Sequence, residues 1–85
     1  MDERVKKCLE AAFAEFSGGD NPKTIASKAV SRLYLIANTH LQIQGLVPRG
    51  VRHFVSNHVN IFLEERGYRR IRSERYDFGG YRLTG

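Results

Sequence analysis

The side chains of this chain that could do chemistry are mostly arginines and small amides. Arg69, Arg70, Arg72, Arg75 and Arg82 crowd its C-terminal stretch, interleaved with Tyr68, Tyr76, Phe78 and Tyr81. A guanidinium forks onto phosphate oxygens and also stacks on flat rings. Upstream, Arg49, His53, Ser56, Asn57 and Asn60 follow one another at spacings of four, three, one and three, which places them on one helix face. Arg52 adds to the same polar side. Arg and Asn can read guanine and adenine edges bidentately, while Ser and His suit phosphate or base contacts. Tyr76 and Phe78 fall at the tip of a hairpin, where they could stack on bases, wedge a groove or fold back onto the preceding helix. This constellation is suited to gripping a nucleic acid. Two plainer readings compete: a solvated helix face, and a charged sheet edge that discourages aggregation.

Catalytic and metal chemistry find no comparable footing. His40, His53 and His58 are scattered, and His53 and His58 are five residues apart where a shared helical face needs four. Cys8 is the single cysteine, which excludes a zinc finger and an internal disulfide. Glu64 and Glu65 are adjacent and diverge on a helix. Gly79-Gly80 precede a strand, unlike a phosphate-cradling loop. Asp77-Phe78-Gly79 matches a kinase tripeptide with nothing else of a kinase around it. The expectation is a protein without catalytic residues, cofactor, metal or small-molecule substrate.

Eighty-five residues make one domain. The formal net charge is +5, and from Arg66 to Arg82 six arginines face only Glu74 and Asp77. Clustered charge of one sign points to an anionic partner. No segment approaches the ~20 apolar residues of a membrane span. No apolar run follows Met1-Asp2-Glu3-Arg4, so no signal peptide is expected there. A lone cysteine fits a reducing, intracellular compartment, with Cys8 itself a small buried thiol.

The elements that must position these residues follow from periodicity. Asp2 is expected to cap a helix reaching about Phe16, with Val5, Leu9, Ala12, Phe13 and Phe16 as its stripe and Gly18-Gly19 as its stop. Asn21-Pro22 reads as the start of a second helix to about Asn38, striped by Ile25, Ala26, Ala29, Val30, Leu33, Ile36 and Ala37 and broadened by Tyr34 and Leu35. Lys23, Lys28 and Arg32 line its outer face. Leu41 to Gln44 alternates like a short strand that could pair with the C-terminal hairpin in a three-stranded sheet. Leu46-Val47-Pro48-Arg49-Gly50 matches the core of a protease site used in expression tags, and is read as native sequence. Pro48 then opens a third helix whose stripe, Val51, Phe54, Val55, Val59, Phe62 and Leu63, predicts one continuous element up to Gly67. The alternative is two short helices, the second capped by Ser56-Asn57. Tyr68 to Thr84 reads as a hairpin turning at Asp77-Phe78-Gly79-Gly80, with Ile71, Tyr81 and Leu83 facing the core.

The run from Val55 to Tyr68, with its Leu63-Glu64-x-x-Gly67-Tyr68 ending, resembles the recognition helix of a winged helix-turn-helix domain. Arg69 to Arg75, Gly79-Gly80 and Tyr81-Arg82-Leu83-Thr84 resemble its two-stranded wing. The resemblance implies an α+β fold: three helices, a short strand and a C-terminal β-hairpin wing. It implies that Ser56, Asn57 and Asn60 face base edges and that Arg70, Arg72, Arg75 and Arg82 serve as wing contacts. It would make residues 41–44 the first strand, residues 20–85 the winged-helix-like unit, and residues 1–19 an additional helix. The functional expectation is non-enzymatic binding of duplex DNA, with homodimerisation through the apolar first helix. Two alternatives stay open: binding of double-stranded RNA, and a small inhibitor or adaptor whose basic hairpin meets an acidic protein.

Overall fold

In the computed structural model, which describes residues 1–72 and 78–84, the chain opens as expected. The Asp2 carboxylate accepts the Arg4 amide proton at 2.8 Å. That backbone hydrogen bond holds the Asp2 carboxyl below its usual range. Helix α1 (Glu3–Ser17) follows and ends at Gly18, whose φ of 67° suits a residue without a Cβ. Its stripe is buried: Val5, Cys8, Leu9, Ala12 and Phe13 all lie in the core. The apolar face expected to mediate a dimer is therefore occupied within the chain.

The segment after α1 corrects the expected second helix. Asn21-Pro22 does not start one; residues 24 and 25 form strand β1 (Thr24–Ile25), and α2 spans Ser27–Ile43. The backbone of this segment is committed elsewhere. The Pro22 carbonyl accepts the Tyr68 hydroxyl at 2.6 Å, and the Lys23 carbonyl accepts the Leu83 amide at 2.7 Å. A helix at Pro22 would forfeit both contacts. Leu41 to Gln44 is likewise not a strand but the end of α2. Val30, Leu33, Ala37 and Leu41 make one buried helical stripe, and Ile43, the residue that suggested alternation, is 75% exposed. Two hydrogen bonds close the helix, Gly45 N–H to the Gln42 carbonyl at 3.0 Å and Leu46 N–H to the Leu41 carbonyl at 2.9 Å. Gly45 sits at φ 66° between them.

Helix α3 (Phe54–Glu65) is one element, shorter than the expected Pro48 start. Residues 44–53 form a connecting loop in which Gly50 takes φ 78° and interrupts any helix begun at Pro48. Ser56 does not cap a second helix; it lies in the first turn, and its hydroxyl donates back to the His53 carbonyl at 3.3 Å. Val59, Phe62 and Leu63 are buried against α1 and α2.

Strands β2 (Tyr68–Arg70) and β3 (Tyr81–Leu83) form the hairpin, and β1 adds to β3, giving a three-stranded antiparallel sheet of order β1-β3-β2. The sheet is as expected in size, but its outer strand is Thr24–Ile25. Tyr68, expected beside the arginines, is instead buried, edge-on to Phe13 at 6.1 Å. Tyr81 is fully buried, as expected, while Ile71 and Leu83 are half-buried. The result is an α+β domain of three helices and a short strand with a C-terminal hairpin, an order compatible with winged-helix topology.

Candidate nucleic-acid interface

The expected polar face divides in two. Arg49, Arg52 and His53 precede α3 and sit exposed in the loop, so they do not share a helical face with Asn57 and Asn60. The helix that begins at Phe54 presents Asn57, Ile61 and Glu64 outward, opposite the buried Val59, Phe62 and Leu63. Ser56 is half-buried on one flank. Asn60 is half-buried on the side that meets α2, where its Oδ1 accepts the Tyr34 hydroxyl at 2.7 Å. His58 stays at the core edge, its Nδ1 on the Phe54 carbonyl at 2.7 Å and its ring 4.1 Å from that of Phe54.

Basic side chains therefore flank α3 at both ends. Arg49, Arg52 and His53 lie before its first turn, while Arg69, Arg70 and Arg82 lie on the hairpin after its last. Twelve helical residues separate the two groups by about 18 Å, more than the ~12 Å width of a major groove. In the sheet, Arg69 pairs with Arg82 and Arg82 with Thr24, so three polar side chains stand in register across one face. Two guanidiniums directly opposite one another repel unless an anion comes between them.

Arginines of this half are held by neutral groups. The Arg66 guanidinium lies 4.8 Å from the Phe13 ring centre and 5.2 Å from that of Phe62, and donates to Asn21 Oδ1 at 3.1 Å. Arg69 donates to the Glu64 and Tyr68 carbonyls at 3.1 and 2.9 Å, which places its charge at the negative end of the α3 dipole. Arg70 covers the Phe78 ring at 4.9 Å. Phe78 itself packs edge-on to Tyr81 at 5.4 Å, so it folds back onto the core. Among the described residues Arg4–Asp2 is an ion pair and the His40 ring contacts the Glu15 carboxylate, neither in the hairpin. Arg72 is exposed beyond β2. The expected contacts at Arg75 and Tyr76 lie outside the described residues.

Sequence reasoning missed Tyr34, which reads only as a broadening of the α2 stripe. Burial pushes its hydroxyl pKa up, while the Asn60 hydrogen bond and the Arg70 charge oppose that shift. The Tyr81 hydroxyl is buried without a hydrogen-bond partner among the described residues, and burial pushes its pKa up to about 12. The one available signal was general: a buried tyrosine needs a partner for its polar end.

Among the described residues no cluster of three metal-ligating side chains occurs, and no helix is long and apolar enough to cross a membrane. No protein-family model, curated protein or solved structure matches the chain.

Proposed function

We propose that this chain binds duplex nucleic acid, DNA foremost, without catalysing a reaction. The observation that supports the reading most is the way its C-terminal arginines are held. Rings and carbonyl oxygens position Arg66, Arg69 and Arg70, and among the described residues no carboxylate pairs with them. A guanidinium fixed in place but uncompensated keeps its attraction for phosphate and loses little side-chain freedom on binding. The exposed face of α3 would enter the major groove. The loop at one end and the hairpin at the other would then meet the backbones on either side.

The test is titration of the full chain with matched double-stranded DNA, single-stranded DNA and double-stranded RNA, followed by fluorescence anisotropy across a salt series. Duplex DNA is expected to bind tightest, with log affinity falling linearly against log salt. Absence of binding to any probe at low salt would reject this function. A second reading, docking to a protein partner, is favoured by Leu35 and Ile43, which stand 70% and 75% exposed on the outer side of α2.

A further inference from the structure

We propose that Tyr34 is a positioning residue that fixes which base Asn60 reads, holding the carboxamide by its oxygen so that the amide nitrogen is left as a donor that selects guanine over adenine. The inference rests on the DNA-binding reading above. An asparagine recognises adenine by using both ends of its amide: the oxygen accepts from N6 and the nitrogen donates to N7. In this chain the oxygen is engaged. Tyr34 and Asn60 lie on different helices, and the hydroxyl donates to Asn60 Oδ1 at 2.7 Å.

An amide oxygen has no proton to give, so in this contact the Tyr34 hydroxyl is the donor and Asn60 Oδ1 the acceptor. The Asn60 amide nitrogen then remains for an external partner, with two N–H donors and no acceptor among the described residues. Guanine presents two acceptors, N7 and O6, on its major-groove edge; adenine presents one acceptor and one amino donor. Adenine N6 would meet Asn60 donor against donor.

Glu64, one turn further on and exposed, fits the same base pair. A carboxylate facing a polyanion is unfavourable unless it meets a base donor, and the cytosine N4 amino group paired to that guanine is one.

The experiment is binding-site selection from randomised duplex DNA with the full chain, followed by anisotropy on duplexes that differ at the selected position. The unsubstituted protein should prefer guanine over adenine about 10-fold there. Tyr34→Phe frees the amide to rotate, and the preference should fall to about 2-fold while low-salt affinity for random duplex stays within about 2-fold. Asn60→Ala should abolish the preference. If Tyr34→Phe does not fold, the protein as it stands decides the matter on a site whose guanine carries carbon in place of N7. A loss of about 5-fold is expected for it and none for Asn60→Ala. A duplex-binding protein with no guanine preference, or a Tyr34→Phe variant that keeps it in full, overturns this inference alone. A protein that binds no duplex at all removes the function beneath it as well.

Discussion

The two halves of this molecule differ in net charge and in how some of that charge is held. Residues 1–43 carry six Lys and Arg against five Asp and Glu, and residues 44–85 carry eight against four. In the first half, Arg4 meets the Asp2 carboxylate at 3.5 Å, and the His40 ring meets Glu15 at 2.8 Å. In the second half, the guanidiniums of Arg66, Arg69 and Arg70 meet phenyl rings, an amide oxygen and helix-end carbonyls. Both arrangements order a side chain, but only a carboxylate cancels the field of the cation it meets. Counting basic residues would treat the halves as differing only by degree. These contacts add a difference in how charge is held, because charge that is held but not cancelled can still be sensed by a partner.

The halves are stitched by β1, and the severest disruption is expected at that seam. Gly80 has φ 105°, and a Cβ placed on it would strike the Ile25 carbonyl oxygen of β1. Gly80→Ala should cost about 3 kcal/mol by combining backbone strain with that clash. Urea denaturation measures it, and a loss below about 1 kcal/mol would mean the strand contact is not rigid. The next effect tests the charge contrast itself. Arg52→Gln with Arg82→Gln should weaken duplex binding at least about 10-fold and reduce the salt slope by about 2. Lys6→Gln with Lys7→Gln on the exposed side of α1 should change binding less than about 2-fold. Equal losses from the two pairs would erase the distinction between the halves.

How far this arrangement could be read in advance depended on range. Helix α1 was legible because its stripe lies within it and its caps, Asp2 and Gly18, directly adjoin it. The Gly67 stop and the hairpin were legible for the same reason. Strand β1 was not, because two residues carry no periodicity and Thr24 becomes a strand residue only by pairing with Arg82. Leu41 to Gln44 misled because two apolar residues two apart fit a strand, while the helical partner of Leu41 is Ala37. Pro48 signalled a start that Gly50 overrides. At the candidate site, residue types were readable but their company was not. Nothing local says that Asn60 answers to Tyr34, or that Arg66 lies over Phe13.

A smaller effect probes the polar contacts that cross the seam. Tyr68→Phe removes the hydroxyl that donates to the Pro22 carbonyl at 2.6 Å, and should cost about 1 kcal/mol. Burial raises the Tyr34, Tyr68 and Tyr81 hydroxyl pKa values above the ordinary 10.0, that of Tyr81 to about 12. A folded pKa above the unfolded one means the native state holds its protons longer. Stability from these groups is therefore complete below pH 10 and declines as pH rises toward about 12. Denaturation midpoints followed across that window, with tyrosinate absorbance as a second probe, should fall together. A flat profile would place these hydroxyls in water.

The smallest effect belongs to a carboxylate contact of the first half. Glu15 and His40 approach to 2.8 Å, yet their side chains are 61% and 33% exposed. Water and salt screen such a pair, and ordering two side chains offsets part of the gain. Glu15→Gln should therefore cost no more than about 0.5 kcal/mol in thermal or urea denaturation. Its amide oxygen can still accept a proton from the imidazole. The result bears on the contrast between the halves. If pairing contributes little to stability, the first half stands on its buried stripe, and the pairs serve mainly to quiet its surface. A loss above about 1.5 kcal/mol would instead make this contact a structural clamp between α1 and α2. The two halves would then differ in how they are held together and not only in the field they present.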